Sequence, residues 1–566
     1  MSDNNKPRTL SVLEAFYQRE AEQATDICFI QPVSADEVVE YSWRETADQA
    51  RRVAAFLRSL NLEAGSRIAL MSTNCANWIM ADLAIWMAGH ISVPIYPVLT
   101  GGSVRQILDH SGAKVMFAGK LEKWPEIATG IDEDIQLISF PLASSVPDDI
   151  GKRWNDILVE FEPIADNPIP DLDELATIIY TSGTTGMPKG VMHSFKNLAT
   201  VGTASGQMYG ISTQDRKLSY LPLAHVGERA SVEVNHIYYG YRVFFSYSLA
   251  TFGEDLRRAR PTLFFAVPRI WQKFQQQVNA KIPNKRLQRL LKLPFIGKRV
   301  RKKVLEGMGM DAMRIAISGA APLSTSLINW YRSLGIEILE GYGMSENFAF
   351  SHATRSGESR VGYVGTPSTG VECRIAESGE ILVKTPAATL GYYKEPELSA
   401  ELFDDDGFIR TGDRGEIDAQ GRLRITGRIK EIFKTSKGKY VAPAPIEDML
   451  SQSDDIELVC VTGANMPQPL ALVVLTEESK ELSKTEGGMR ELAKRLLQTL
   501  SDTNGKLDKH ENISNIVIVG DEWTLEAGLI TPTLKVKRAQ LEERYSGHFA
   551  NWQRQSQAVV WAEPVL

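Results

Sequence analysis

The chain has 566 residues, 43% of them hydrophobic and 23% charged, with a formal net charge of -7 at neutral pH. At roughly 150 residues per domain, that length suggests about four compact units with ample buried core. The averages exclude collagen, coiled coil and wholesale disorder, and the acidic balance argues against a dedicated nucleic-acid binder.

The polar start MSDNNKPRTL lacks the apolar core of a signal peptide, which predicts a cytoplasmic protein. Residues 45–60 carry a helical period, GSRIALMS at 65–72 predicts a buried strand, and 77–89 predicts a helix leading into the strand HISVPIYP. A helix at 102–111 and a strand at 113–119 follow. TIIYTS, TLFFAVP, RIAISG and GIEILEGY are further buried-strand candidates. Helices alternating with apolar strands predict an α/β fold whose large N-terminal portion holds parallel or mixed sheets covered by helices. The apolar stretch Trp78–Val98 is interrupted by Asp82, His90 and two prolines, which argues against a membrane span.

From about residue 360 the chain predicts a β-rich subdomain, with short strands such as GEILVKTP and GEIDAQGRLRITG set between Gly and Asp turns. After residue 428, strands at IELVCVTG, LALVVLT and NIVIVG and a helix near MRELAKRLLQTL predict a small α+β domain. The expected division is therefore 1–427 and 428–566. Cys28, Cys75, Cys373 and Cys460 lie far apart without CxxC or zinc-like spacing, so no disulfide framework is expected.

The densest signal is TIIYTSGTTGMPKGVMHS, Thr177–Ser194. A β-branched strand runs into a loop with Gly183, Gly186 and Gly190, the hydroxyls of Thr181, Ser182, Thr184 and Thr185, and Lys189. Glycines let backbone N–H groups approach a polyanion, and hydroxyls and a lysine add donors and charge. Pro188 stands where the P-loop pattern requires its second glycine, so a kinase or GTPase reading fails.

This segment resembles the phosphate-loop signature of the adenylate-forming (AMP-binding) enzymes. SYLPLAHVGER, PTLFFAVPRIW, ISGAAPLS, EGYGMSEN, RTGDRGEID, GRIKEIFKTSKGKYVAP and TPTLKVKR follow in that family's order, covering about 175–540. The variants AHVGER, VPRIW and FKTSKGKYVAP are most similar to the long-chain fatty acyl-CoA synthetase branch. The resemblance implies ATP, Mg2+ and coenzyme A as reactants and a small, mobile C-terminal domain.

By the same resemblance, Tyr342 and Gly343 with Gly319 and Ala320 flank adenine, Ser345 contacts the α-phosphate, and Glu346 holds magnesium. Thr185 joins Glu346 among the catalytic candidates. Asp413 and Arg428 bind ribose, and Lys430 falls at the inter-domain hinge. Lys535 is the catalytic lysine, although Leu534 stands where the commoner pattern has glycine, which leaves Lys537 as an alternative. Lys434 and Gly438 serve the second half-reaction, and His225 and Val226 face the acyl group. The implied reaction is attack of a fatty carboxylate on ATP, then of the coenzyme A thiol on the acyl-adenylate. Two alternatives stand: a fatty acyl-AMP ligase serving a carrier protein, and a non-catalytic nucleotide- or lipid-binding relative.

Residues 281–303 contain many Lys and Arg and no acid. They allow a peripheral patch on the inner face of a membrane, an attractor of coenzyme A phosphates, or a solvated helix face. A homodimer stays open, and no nucleic-acid partner is expected.

Overall fold

A computed structural model describes residues 8–147, 149–181, 188–321, 323–531, 535–555 and 557–565. The chain divides into two compact units, Met1–Ala321 with Ser326–Cys373 and Val383–Arg410, and Pro322–Thr325 with Arg374–Leu382 and Thr411–Leu566.

The first unit is built on an eight-stranded sheet. Its order is Gly391–Tyr392, Lys189–Ser194, Leu175–Thr181, Ile91–Ile95, Arg67–Met71, Val115–Ala118, Gln136–Ser139 and Lys152–Arg153. The strands from Leu175–Thr181 outward run parallel, while Lys189–Ser194 turns back antiparallel and Gly391–Tyr392 pairs antiparallel beyond it. Near-continuous apolar runs such as RIALM form these strands because a parallel sheet is covered on both faces. Helix Ala76–Met87 is buried at every position, which explains why the longest apolar stretch of the sequence is not a span. Helix Trp43–Ser59 starts on a reciprocal cap, Ser42 and Glu45 each accepting the other's backbone N–H.

A second, five-stranded sheet places Leu263–Ala266, Ile315–Ser318 and Ile338–Tyr342 in parallel. The segments TLFFAVP, RIAISG and GIEILEGY therefore lie side by side. A four-stranded sheet, Arg216–Ser219, Arg242–Phe245, Ile27–Pro32 and Val38–Ser42, completes the set in this unit.

In the second unit, Ile456–Thr462 and Leu470–Leu475 pair antiparallel, and Ile516–Ile518 and Val559–Trp561 extend the sheet in parallel. One face buries Val461, Val473, Leu492 and Leu496, the other Leu472, Leu541, Tyr545 and Trp552. The expected α+β domain is thus present, with helices Glu486–Asn504 and Arg538–Arg554 on opposite faces. All four cysteines are free, and three of them are buried.

Two buried polar features in the first unit were not legible from the sequence. The fully buried side chain of Arg229 ion-pairs with Asp82 and with Glu233 at 2.9 Å, and donates to Thr177 Oγ1 at 2.5 Å. The rings of Trp78 and Trp86 each lie 5.5 Å from its guanidinium carbon. Arg229 opens the π-helical turn Arg229–Val234, a form that recurs at functional sites. Burial, with Asp82 beside it, pushes the Glu233 carboxyl well above the usual range despite Arg229.

The other feature is His236, stacked on Trp43 with centroids 4.6 Å apart and donating through Nδ1 to the Tyr241 carbonyl. Burial lowers its pKa to about 3. The unfolded chain takes up this proton first, so the stability His236 contributes is present above pH 6.5 and lost as pH falls toward 3. His236→Asn is therefore expected to shrink the difference in melting temperature between pH 7 and pH 5, whatever it costs at pH 7. An undiminished difference would show that His236 is not among the groups responsible.

Candidate functional site

The first unit gathers the phosphate-loop strands and the Tyr-Ser-Glu segment at one place. Strands Leu175–Thr181 and Lys189–Ser194 form a hairpin in which Thr181 stands opposite Lys189. The two residues therefore flank the loop at its base. Ser182, Gly183, Thr184, Thr185 and Gly186 lie outside the described residues.

On the far side of Lys189–Ser194, Tyr392 pairs with Val191 and Gly391 with Met192. Tyr392 is nearly buried, and the Lys189 ammonium lies 5.3 Å from its ring centroid. The Tyr392 hydroxyl donates to Glu346 Oε1 at 2.8 Å. One aromatic side chain thus joins the cation at the loop base to the candidate metal carboxylate.

A second tie runs from the same strand. His193 Nε2–H donates to the carbonyl of Ser345 at 2.7 Å. Burial pushes the His193 ring down to about 4, so it is a neutral donor at physiological pH. The backbone N–H of Thr389 donates to the Glu346 carbonyl at 2.8 Å. Strand pairing, a buried histidine and a tyrosine together hold Ser345 and Glu346 against the hairpin.

The Tyr-Ser-Glu segment is itself tightly wound. Ser345–Asn347 forms a single 3-10 turn, followed by Phe348 and Ala349 with φ of 49° and 57°. A side chain at Gly343 would meet the Ala349 backbone at 2.5 Å, so only glycine permits the turn. Consecutive left-handed non-glycine residues are uncommon and store strain of the kind found at ligand sites.

Gly319 follows strand Ile315–Ser318 beside strand Ile338–Tyr342, and a side chain on it would lie 3.2 Å from the Gly341 carbonyl. Ala320 has φ of 69°. The two strand ends that carry Gly319 and Tyr342 are therefore adjacent. A Cβ on Gly319 would also lie 3.3 Å from the Phe265 ring, and one on Gly227 would lie 3.9 Å from it. Phe265 thus sits between the Gly319 strand end and the turn at His225, whose Nδ1 accepts from Gly227 N–H at 3.0 Å. Val226 is buried.

The second unit carries its own group. Asp413 and Arg428 stand opposite each other across an antiparallel pair, with Arg428 Nε donating to Asp413 Oδ1 at 2.9 Å. Asp413 follows Gly412, whose φ is 70° and whose N–H donates to Glu380. Lys535 is close enough to sense both: loss of water lowers its pKa first, Arg428 lowers it further, and Asp413 and Glu431 raise it. The residue itself is exposed, so the neighbouring Arg428 guanidinium is the firmer cause of the lowering. Its backbone is fixed by reciprocal bonds, Thr531 N–H to the Lys535 carbonyl at 2.7 Å and Lys535 N–H to Thr531 Oγ1 at 3.0 Å. Lys430 is exposed in the short turn Ile429–Glu431. Lys434 sits on the ribbon Phe433–Lys434 and Tyr440–Val441, whose turn uses Gly438 with φ of 76°.

Sequence reasoning missed four contributors. His193 lies inside the quoted loop motif, and its signal was the strand alternation that points Val191 and His193 inward. Phe265 and Arg538 also lie inside quoted motifs, but their roles, like that of Tyr392 outside them, show only through neighbours in space. Arg538 opens the helix just after Lys535; it pairs with Glu447 at 2.8 Å and Glu431 at 3.6 Å, and donates to the Val461 carbonyl. It thereby ties the Lys535 loop to the turn that holds Lys430.

The AMP-binding enzyme family matches residues 16–393, and the AMP-binding enzyme C-terminal domain matches residues 430–552. The chain belongs to this family. Fatty acyl-CoA synthetase A of Dictyostelium discoideum is 29% identical, over 89% of this chain and 84% of that protein. Long-chain-fatty-acid--CoA ligase FadD15 of Mycobacterium bovis is 30% identical, over 89% of this chain and 90% of that protein. The adenylation domain of a carboxylate reductase from Mycobacterium chelonae has the same fold, with a TM-score of 0.80 at 22% identity, over 97% of this chain and 91% of that one.

Arg538→Met would strand Glu447, whose carboxyl is already raised by burial. The second unit's calorimetric transition is expected to fall by about 4–8 °C, equivalent to about 2 kcal/mol for a partly exposed pair in a unit of this size. Adding Glu447→Gln should recover part of the loss. An unchanged transition would show that Arg538 does not brace the Lys535 loop.

Proposed function

We propose that this protein activates a medium- to long-chain fatty acid with ATP and transfers the acyl group to coenzyme A, releasing pyrophosphate and then AMP. The observation that carries the reading is the Lys189–Tyr392–Glu346 chain at the base of the phosphate loop, in a member of the AMP-binding family whose curated relatives are named long-chain acyl-CoA synthetases.

The chemistry assigns each residue a task. A carboxylate and a triphosphate repel one another, so the site must neutralise phosphate charge before they can meet. Loop N–H groups and hydroxyls from Thr181 to Gly186, with Lys189, receive the phosphates. Gly319, Ala320 and Tyr342 are assigned to adenine, and Asp413 and Arg428 to the ribose hydroxyls. Ser345 addresses the α-phosphate. The acyl chain enters beside His225, Val226 and Phe265.

Glu346 fits a magnesium site: Mg2+ takes one or two carboxylates plus substrate phosphates rather than an all-protein cage. Among the described residues no cluster of three or more metal-type side chains occurs. Glu346 would hold the ion together with phosphate oxygens, and the ion would supply charge neutralisation and orientation. Tyr392 fixes the rotamer of that carboxylate.

We assign to Lys535 the task of stabilising the charge that builds on the α-phosphate during adenylation. The domain 428–566 then turns about Lys430 and brings the Lys434–Gly438 ribbon to the thioester-forming step. A hinge on one short turn is a sufficient element for such a rotation.

A panel of carboxylic acids of increasing chain length, assayed for pyrophosphate and AMP with and without coenzyme A, tests the reading. Pyrophosphate with fatty acids and AMP turnover only with coenzyme A are expected. AMP turnover that requires a carrier protein instead, or no pyrophosphate with any acid, would overturn it.

Lys535→Ala is expected to lower adenylation by about 100-fold or more while sparing thioester formation from supplied acyl-adenylate. Equal loss of both half-reactions would remove Lys535 from its assigned step, and a selective loss in Lys537→Ala would reassign it. Tyr392→Phe keeps a ring under Lys189 but releases Glu346, so the Mg2+ concentration for half-maximal pyrophosphate release should rise about tenfold or more. An unchanged requirement would show that Tyr392 does not orient the metal carboxylate.

A further inference from the structure

No acidic residue occurs between Asp255 and Glu306, and residues 281–303 alone hold ten lysines and arginines. The structure arranges this segment as two helices, Asn284–Leu291 and Ile296–Met308, joined by a tight turn. Leu287 and Val304 point inward and are buried, so the helices already have their packing faces. The turn is different. Lys292, Leu293, Pro294, Phe295 and Ile296 are all exposed, with Phe295 at 82%, Ile296 at 47% and Leu293 at 45%.

Pro294 cannot continue the first helix, and Phe295 opens the second with φ of 63°. A side chain at Gly297 would lie 2.4 Å from the Leu291 carbonyl, so the turn is closed and its apolar residues are displayed rather than packed. Among the described ion pairs, only Lys302 of the segment's cations takes part, with Glu306 at 3.6 Å. An apolar tip ringed by unpaired cations costs the folded protein solubility, and a partner must match both features at once.

We propose that this turn docks the protein on an anionic lipid bilayer, with Leu293, Phe295 and Ile296 entering the headgroup boundary and the flanking lysines and arginines meeting lipid phosphates. A second copy of the chain would set like charge against like. A free phosphate or coenzyme A has no use for an exposed phenylalanine, and neither does the backbone of a nucleic acid. The interfacial layer of a bilayer takes both the aromatic edge and the cations. This inference does not depend on the acid-activating reading.

Sedimentation of the full chain with vesicles of phosphatidylcholine, with and without about 30% phosphatidylserine, tests it. Binding is expected only to the anionic vesicles, and is expected to weaken steeply with salt. Lys298→Gln with Arg299→Gln should weaken it about 25-fold, at about fivefold per charge. Phe295→Ser with Ile296→Ser should weaken it about tenfold or more at constant charge. Both variants lie at the surface and should keep the wild-type melting temperature. They should also keep its pyrophosphate release with a water-soluble acid. Equal binding to neutral vesicles, no binding at low salt, undiminished binding by the apolar variant, or capture of RNA in place of vesicles would each overturn the proposal. Absence of pyrophosphate release from the wild-type protein would count against acid activation alone.

Discussion

A guanidinium sealed from water cannot shed its charge, so whatever surrounds it must stay in place or leave a bare cation in the core. Arg229 imposes that constraint on the first unit. Asp82 fixes it to the all-buried helix Ala76–Met87, Thr177 to the strand that ends at the phosphate loop, and Glu233 to the π-helical turn it opens. Just ahead of that turn, His225 caps the three-residue helix that Val226 opens. One buried charge therefore sets the position of the hairpin proposed to receive phosphates and of the turn assigned to the acyl group. Sliding either element past the other would isolate an ion, at a cost of several kcal/mol.

The local chemistry is built on that frame by small distances rather than by many charges. Lys189 and Glu346 would attract each other directly, yet Tyr392 stands between them and engages both, through its ring and its hydroxyl. The cation and the carboxylate thus stay available to a ligand instead of neutralising one another. In the second unit Arg428 does bind Asp413, and Lys535 feels both. Backbone economy accompanies the charges: Gly319 and Gly343 are places where a Cβ would meet a carbonyl or a peptide, and Ala320, Phe348 and Ala349 accept left-handed backbone. Such strain persists only where surrounding strands over-determine the conformation.

Much of this was legible in the sequence, and for identifiable reasons. Apolar runs of four to seven residues became the expected strands, with ends moved by one to three residues; GSRIALMS is Arg67–Met71 and RIAISG is Ile315–Ser318. Helix 77–89 is Ala76–Met87, and 102–111 is Gly101–Ser111. Strands Ile27–Pro32 and Val38–Ser42 were missed: VVEYS is half polar, and the first strand is completed on its other edge by Arg242–Phe245, far along the chain. Thr181, Lys189, Ser345 and Glu346 are short-range motif residues, and the fold brings their segments together. Tyr392, His193 and Arg229 act through partners 46, 152 and 147 residues away, a separation that no periodicity encodes. The basic run was visible as charge, but its apolar apex appeared only once Pro294 and Phe295 were placed on a turn.

In the proposed reaction a carboxylate oxygen attacks the α-phosphorus of ATP at the site framed by the hairpin and the Tyr-Ser-Glu turn. A fatty acid labelled with oxygen-18 in both carboxylate positions follows that atom directly. Mass analysis after turnover with ATP and coenzyme A should find one label in AMP and the other in the thioester. Unlabelled AMP, or label in pyrophosphate, would contradict the mixed-anhydride route.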